Sequence, residues 1–262
     1  MSALIDTLRQ RPTAPLHRGI VDLGLVLVIA GLAAGTASPA GARANTAAAI
    51  TPSLSPNRLG ARGALVFTIH YGGGEFGVPS PVRRAVLRFP AGLNLEDPDL
   101  RSCATARLRV HGARGCPARA EIGHGYAIAQ ARAGSQIVTE DIRLWIFLGP
   151  LESSGPTFEI LGQGYTPFEE RLVLTGTGIS DSPPYGEDMV LRIPPIPTLP
   201  LESDASIVTL SLTIGVSKPR HPRDANTVAV PPGCPPGGFP FAGEFTYADG
   251  STGSALATSP CP

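Results

Sequence analysis

The sequence contains very little lysine and tryptophan and has no net charge, and each of these features argues against a class of function. Lys218 is the only lysine and Trp145 the only tryptophan among 262 residues. The 21 basic and 21 acidic residues balance to a formal net charge of zero, with a pI near 7.0. A neutral chain creates no field that would concentrate a nucleic acid around it, so we expect no nucleic-acid partner. A single tryptophan also disfavours a sugar platform built on indole rings.

Motifs that bind a nucleotide, activate a serine or hold zinc are also missing. A phosphate-binding loop needs Gly-x-x-x-x-Gly-Lys, which the surroundings of Lys218 do not provide. No Gly-x-Ser-x-Gly pentapeptide occurs, and the nearest sequence, Gly250 to Gly253, follows Asp249 in a pattern typical of a hairpin turn. The cysteines lack the close spacing of zinc ligands. We therefore predict no cofactor, no metal and no catalytic residues, and we favour a protein that is not an enzyme.

The long apolar run near the amino terminus has the features of an export signal. A cationic leader, residues 1–18, precedes the uncharged run 23–34, which is shorter than the roughly 20 residues that span a bilayer. Ala42 and Ala44 then occupy the two positions that signal peptidase reads, which predicts cleavage after Ala44. The alternative is an uncleaved anchor, which would give the protein contact with the membrane. In both cases the sequence predicts an exported protein that is secreted or held in the cell envelope.

Strand patterns follow one another through the remainder of the chain. We expect 1–44 to be the signal peptide, 45–63 a linker or irregular leading segment, and 64–262 a β-sandwich domain that could comprise two unequal halves. The period-two pattern begins at Leu65. It predicts strands near 65–71, 84–90, 126–132, 141–148, 157–162, 171–177, 189–193, 206–214, 244–248 and 254–258. One short helix is predicted near Asp99 to His111, ended by Gly112. The fold class is therefore all-β, an antiparallel β-sandwich of about ten short strands.

The four cysteines all lie after the predicted signal. An even number of cysteines in an exported chain indicates disulfides, and the two shortest closures are Cys103 to Cys116 and Cys234 to Cys261. Each pair brackets a compact segment rich in glycine and proline. Each bridge would stabilise the fold by about 3 kcal/mol through the entropy of the unfolded chain.

Three stretches of the sequence resemble a group of secreted proteins from high-GC Gram-positive bacteria. They are FPAGLNLEDPDLRSC, the Cys-Pro-x-x-x-x-Ile-Gly stretch from Cys116 to Gly123, and the ending that begins at Gly233. The resemblance covers 88–123 and 233–262, with Ala120 standing where a serine is expected. This group is β-rich and has no known activity, so the resemblance implies export and β-structure but no function.

One run of arginines forms the most uneven charge in the sequence. No acidic residue lies between the first and last of its five members, which are Arg101, Arg107, Arg109, Arg114 and Arg119. This run could bind an anionic envelope polymer or the acidic face of another exported protein. The alternative is a solvated surface with no partner.

Two functions remain open at this point. The leading hypothesis is an exported, non-enzymatic protein that binds a ligand or serves the structure of the cell envelope. The alternative is a carbohydrate-binding domain or carbohydrate-active hydrolase. Its stacking residues would be Trp145, Tyr126 and Tyr165. Its acids would be Glu159 with either Glu169 or Glu170, because adjacent residues of a strand point to opposite faces.

Overall fold

A computed structural model describes residues 47–74, 77–165, 170–198, 203–215 and 227–262. Ala42 and Ala44 of the predicted cleavage site, and Glu169, lie outside these residues. The strands are β1 Ala48–Ser55, β2 Arg62–Tyr71, β3 Val82–Pro90, β4 Asn94–Leu95, β5 Glu121–Ala133, β6 Gln136–Glu152, β7 Gly155–Gly164, β8 Glu170–Ser180, β9 Tyr185–Arg192, β10 Ser206–Ile214, β11 Val228–Ala229, β12 Phe239–Tyr247 and β13 Thr252–Ser259. The described residues contain one α-helix, α1 Thr105–His111, which is followed by the 3₁₀ helices Gly112–Gly115 and Ala118–Ala120.

The strands form one curled antiparallel sheet. Its order is β13-β12-β3-β9-β8-β7-β6-β5-β10-β2-β11-β4, with β1 paired to the side of β2. The prediction of an all-β fold is confirmed, but the predicted sandwich of two sheets is wrong. Period-two patterning shows which side chains point inward, whereas the number of sheets depends on which strands pair. Here each strand pairs with its neighbours to form a single sheet. The sheet curls, and the core lies on its concave face.

The middle of the sheet is a meander of five consecutive strands, β5 to β9. Each strand of this meander pairs with the next in the chain. β10 and β2 extend it on one side, and β3, β12 and β13 extend it on the other. β2 and β3 are therefore neighbours in sequence but lie on opposite sides of the meander.

Aromatic side chains join the two sides of the sheet across its concave face. The ring of Phe67 on β2 lies 5.8 Å from Phe89 on β3 and 6.0 Å from Phe241 on β12, between ring centroids. Tyr71 and Phe245 make an edge-to-face contact at 5.2 Å. Such pairs contribute about 0.5–1.5 kcal/mol beyond the burial of their surface. β1 lies beside β13, and no ladder of hydrogen bonds joins these two strands among the described residues.

The segment expected to be a linker contains a strand. Ala48–Ser55 pairs with β2 from Ala48 opposite Tyr71 to Ser55 opposite Ala64. Ile50 and Leu54 are buried in the core. The prediction missed this strand because its other residues are alanine, serine, threonine and proline, which give a weak apolar alternation. Pro52 lacks a backbone N–H, and it is tolerated because β1 forms a ladder with β2 on one side, so an N–H that faces the other side is not needed for pairing.

An excursion between β4 and β5, residues 96–120, packs on the convex face of the sheet. The disulfide between Cys103 and Cys116, with Cα atoms 5.3 Å apart, closes this excursion as predicted. Its helix begins at Thr105, later than predicted, because the N–H of Cys103 donates to the carbonyl of Leu148 at 2.8 Å and holds the preceding residues in place. Gly112 ends the helix with a positive φ of 62°.

The second disulfide ties the two ends of the last hairpin. Cys234 and Cys261, with Cα atoms 6.1 Å apart, pair as predicted. Between them, β12 and β13 are joined by the turn at Asp249 and Gly250, and Gly250 adopts a φ of 79°. The described chain contains no free cysteine. Two disulfides are typical of a protein that lives in an oxidising compartment.

Candidate functional site

The convex face of the sheet carries one continuous row of hydroxyl, aromatic, amide and basic side chains. Directly opposed residues of six neighbouring strands form this outer row: Thr68, Ser211, Tyr126, Arg143, Gln163 and Arg171. Opposed residues share a face, and Leu144 and Leu172 beside the row pack with the core, so the row points away from the core. Neighbouring strands are ~4.8 Å apart, so the row spans roughly 24 Å.

Side chains of the outer row are available to a ligand. Tyr126 is 51% exposed, and Arg143 and Arg171 are also exposed. Thr68 and Ser211 are half-buried, with 3.0 Å between their hydroxyl oxygens. Hydroxyls, an aromatic ring, an amide and two guanidinium groups thus follow one another along one line.

A cleft opens at the basic end of the row, between the excursion and β8. Its volume is about 610 Å³, within the ~300–1,000 Å³ range of small-molecule sites. We call it the outer cleft, and its walls are Arg109, Gln163, Glu170, Arg171, Leu172, Val173 and Pro194. Arg109 comes from α1, whereas Gln163 and Arg171 belong to the outer row. The cleft therefore adds a third guanidinium group to the two of the row.

Packing beneath the helix fixes the position of Arg109. Leu108 is fully buried, and with Cys103 and Ala120 it packs on Phe147 of β6 and Leu161 of β7. Half-buried Trp145 and Val173 border the same small cluster. A Cβ placed on Gly112 would lie 3.6 Å from Cζ of Arg171, so the end of the helix reaches the outer row.

The outer cleft has more basic than acidic side chains in its walls. Within the described residues, neither Arg171 nor Arg143 takes part in an ion pair. Glu170 is the acidic group of the cleft, and burial raises its pKa, so this carboxyl gives up its proton less readily than an exposed one. Asp141, two residues before Arg143 on β6, is exposed. Arg109 and Arg171 thus line the cleft and Arg143 lies beside it, whereas Glu170 is half-buried at the edge of the cleft and has a strand position on the concave side.

The predicted arginine run surrounds the excursion, and one of its members reaches the cleft. All five arginines are exposed. Arg119 pairs with Asp99 at 2.7 Å between Nη1 and Oδ2, and the N–H of Arg101 donates to the carbonyl of Arg119 at 3.1 Å. Arg107 and Arg114 lie on α1 and the 3₁₀ helix that follows it. Arg109 alone among the five lines the outer cleft.

Glu159, the acid of the hydrolase hypothesis, is buried under the excursion. Its side chain is 1% exposed, and its two carboxylate oxygens accept hydrogen bonds from Thr105 on α1 at 2.6 Å and from Thr175 on β8 at 3.0 Å. Burial raises the pKa of Glu159, and these hydrogen bonds and the charge of Arg109 partly oppose the rise. The arrangement joins the helix to the sheet and leaves this carboxylate almost inaccessible from the surface.

Glu159 and Glu170 lie on opposite faces of the sheet. Glu159 is opposed to Thr175, whereas Glu170 is opposed to Gly164. Thr175 and Glu170 are five positions apart, and an odd separation along a strand means opposite faces. The structure therefore does not bring this predicted pair of acids together across one glycosidic bond, and Glu169 lies outside the described residues.

Two of the three aromatic residues of the carbohydrate hypothesis lie on the neighbouring strands β5 and β6, and the third follows the end of β7. Tyr126 belongs to the outer row on β5, and Tyr165, 52% exposed, lies two residues after Gln163 at the end of β7. Trp145 on β6 is opposed to His124 and Leu161, one step along the strands from the outer row, and is half-buried against the excursion. Two of the three rings are thus exposed for stacking.

Arg143, Gln163 and Arg171 were missed by sequence reasoning. Each stands at an outward position between inward residues, for example Arg143 between Ile142 and Leu144. That pattern predicts a solvated face, and nothing within one strand indicates which outward residues of other strands lie beside it. The signal that would find them is the pairing register of β5 to β8.

The concave face contains two small cavities of about 50 Å³ each. One has Glu140 and Glu170 at its edge, and the other has Glu187. Burial raises the pKa of all three side chains, and the charge of Glu170 raises that of Glu140 further. Cavities of this size are far below the ~300 Å³ at which small-molecule sites begin, so the inner face is mainly a packed core.

No arrangement of three or more His, Cys, Asp and Glu side chains suited to a metal ion occurs in the described part of the chain. Nor does any helix there have the length and apolar character needed to cross a bilayer. Comparison of the chain with protein families, curated proteins and solved structures finds no significant match.

Proposed function

We propose that this protein is an exported, non-enzymatic binding module whose convex face recognises an anionic partner in the cell envelope. The observation that carries the proposal is the convergence of Arg109 and Arg171 on one cleft. A guanidinium group binds carboxylate or phosphate through paired hydrogen bonds, and it does so most strongly where several such groups converge. A partner with regularly spaced negative charges would be bound along the outer row.

Export is supported by three observations. The two disulfides are typical of oxidising compartments. The first 44 residues have the charge order and apolar run of a signal peptide. The stretches at 88–123 and 233–262 resemble secreted proteins of high-GC Gram-positive bacteria.

Binding is favoured over hydrolysis by the environment of Glu159. A general acid must reach the atom that it protonates, whereas both oxygens of Glu159 are used by Thr105 and Thr175 under the excursion. The acid that sequence reasoning offered as its partner, Glu170, lies on the other face. Turnover of a glycoside or ester by the purified protein would contradict the proposal.

The proposal is tested by titrating the purified, disulfide-bonded protein with polyglutamate and with polygalacturonate in a calorimeter. At low salt we expect binding that weakens as salt rises, because exposed charges are screened. Arg171→Ala should weaken binding by about tenfold, the loss expected of one charge-assisted pair.

Arg119→Ala is the matched control for that variant. Arg119 is exposed on the same excursion but is paired with Asp99 outside the outer cleft. Its removal should change the affinity by less than about twofold. Equal losses in the two variants, or no binding of either polymer, would overturn the proposed function.

A further inference from the structure

The outer row contains more than positive charge. The guanidinium groups of Arg143 and Arg171 are accompanied by the exposed ring of Tyr126 and by a pair of hydroxyl groups, and the exposed ring of Tyr165 lies just after the end of β7. Taking the proposed binding function as given, we infer that the anionic partner is a polymer of acidic sugars. Its sugar rings lie on Tyr126 and Tyr165, and its carboxylates bind Arg143, Arg171 and Arg109.

The aromatic residues fit the rings of such a polymer. A tyrosine side chain offers a flat apolar face and a polar hydroxyl at its tip, which suits the apolar face and polar edge of a sugar. Tyr126 stands beside Arg143 in register, with Cβ atoms ~5 Å apart as in other opposed pairs. A ring stacked on Tyr126 would therefore present a carboxylate of the same sugar to Arg143.

The hydroxyl and amide groups of the row fit the alcohols of a polymer. Thr68 and Ser211 extend the row beyond Tyr126, and Gln163 separates the two arginines. These side chains both donate and accept hydrogen bonds, as sugar hydroxyls do. A row of roughly 24 Å is also longer than any single sugar, so it suits a chain of several units.

Alternative partners would leave part of this surface unused. A neutral sugar polymer does not need the three guanidinium groups of Arg109, Arg143 and Arg171. An acidic polypeptide does not need Tyr126 and the hydroxyl pair in the row, nor the ring of Tyr165 after β7. The acidic sugar polymer uses every group, although Asp141 is an exposed acid beside the row.

Three polymers of matched length distinguish these partners in calorimetry. Polygalacturonate carries sugar rings and charge, dextran carries rings alone, and polyglutamate carries charge alone. We expect polygalacturonate to bind about tenfold or more tightly than either of the others, because it alone uses both kinds of contact.

Variants of the aromatic residues complete the test. Tyr126→Ala and Tyr165→Ala should each weaken polygalacturonate binding by about tenfold and leave polyglutamate binding unchanged. Tyr126→Phe should retain most of the affinity because the ring remains. Val110→Ala, which shortens a side chain 69% exposed on α1 outside the outer row, is the matched control and should change neither.

The failure of this inference is distinct from that of the proposed function. If polyglutamate binds as tightly as polygalacturonate and Tyr126→Ala has no effect, the sugar inference is overturned while anion binding stands. If neither charged polymer binds, the proposed function itself fails. Circular dichroism of each variant in the aromatic region confirms that the fold is intact before binding is compared.

Discussion

The carboxylate of Glu140 on β6 lies directly against Gly164 on β7. A Cβ at position 164 would collide with Oε1 of Glu140, so the glycine provides the space that this acidic side chain occupies on the concave face. Oε1 is buried and has no hydrogen-bond partner among the described residues. The two residues thus form one unit, in which the small residue accommodates the large one.

Gly164→Ala should cost less than about 1 kcal/mol, because the Glu140 side chain can move away, whereas Gly125→Ala, whose methyl group would meet the backbone carbonyl of Ser211, should cost about 1–3 kcal/mol. Urea unfolding measures both changes as lower midpoints. Gly233→Ala is the control, because a Cβ at that position meets nothing within 4 Å. Equal midpoints for the Gly125 and Gly233 variants would show that the collision with the backbone is relieved at no cost.

Stability should depend on pH because burial raises the pKa of Glu140, Glu170 and Glu187 above the ordinary value of 4.5. A raised pKa means that the folded state binds protons more tightly than the unfolded state. Stability from these groups is therefore complete below pH ~4.5 and is lost as the pH rises through the folded pKa values. The melting temperature should fall from pH 5 to pH 7, and Glu140→Gln should make that fall smaller. A melting temperature that rises over this range in both proteins would contradict the argument.

Glu159→Ala should destabilise the protein by about 2–4 kcal/mol, because it leaves a cavity under the excursion and removes the acceptor of two threonine hydroxyls. Glu159→Gln keeps the size and an acceptor oxygen, so it should cost much less. Guanidinium unfolding of the three proteins gives the comparison. A catalytic role would instead abolish an activity in both variants, whatever their stability.

Removal of either disulfide should lower stability, but removal of only one of them should weaken binding. Replacing Cys103 and Cys116 with alanine should cost about 3 kcal/mol and should also weaken polyanion binding, because Arg109 is no longer held over the cleft. Replacing Cys234 and Cys261 should cost a similar amount while binding stays unchanged. Unfolding and calorimetry on the two double variants provide the readouts, and equal loss of binding in both would refute the positioning role of the first bridge.

Mass analysis of the secreted protein should show Asn45 as its first residue, because Ala42 and Ala44 occupy the positions that signal peptidase reads. This prediction concerns residues outside the described part of the chain. Recovery of the intact chain from the membrane fraction would instead establish the uncleaved anchor.

Much of the secondary structure could be read from the sequence, because it depends on local alternation. β10 was predicted with its observed bounds, Ser206–Ile214. β6 extends well beyond its predicted 141–148, since backbone pairing with β5 continues past the apolar stretch as far as Gln136. The arrangement into one sheet could not be predicted, because the pairing of β3 with β12 joins residues that are distant in the chain.

From the sequence we could predict only those parts of the candidate site that lie within one continuous segment of the chain. Arg109 and the disulfide between Cys103 and Cys116 belong to a single excursion, and both were identified. Arg143 and Arg171 come from different strands, and their alignment follows from the pairing of β6, β7 and β8. A shift of one residue in that register would turn either arginine to the other face.

The separation of β2 from β3 has a consequence for the timing of folding. Among the described residues β3 pairs with β9 and β12, both distant from it in the chain, and β2 pairs with β10 after the whole meander. Pairing between distant segments is slow, because the chain must lose the entropy of loop closure before it gains contacts. The chain consequently cannot complete its sheet before its last strands are synthesised. Late completion of the sheet suits the export that we propose, because translocation requires an unfolded chain.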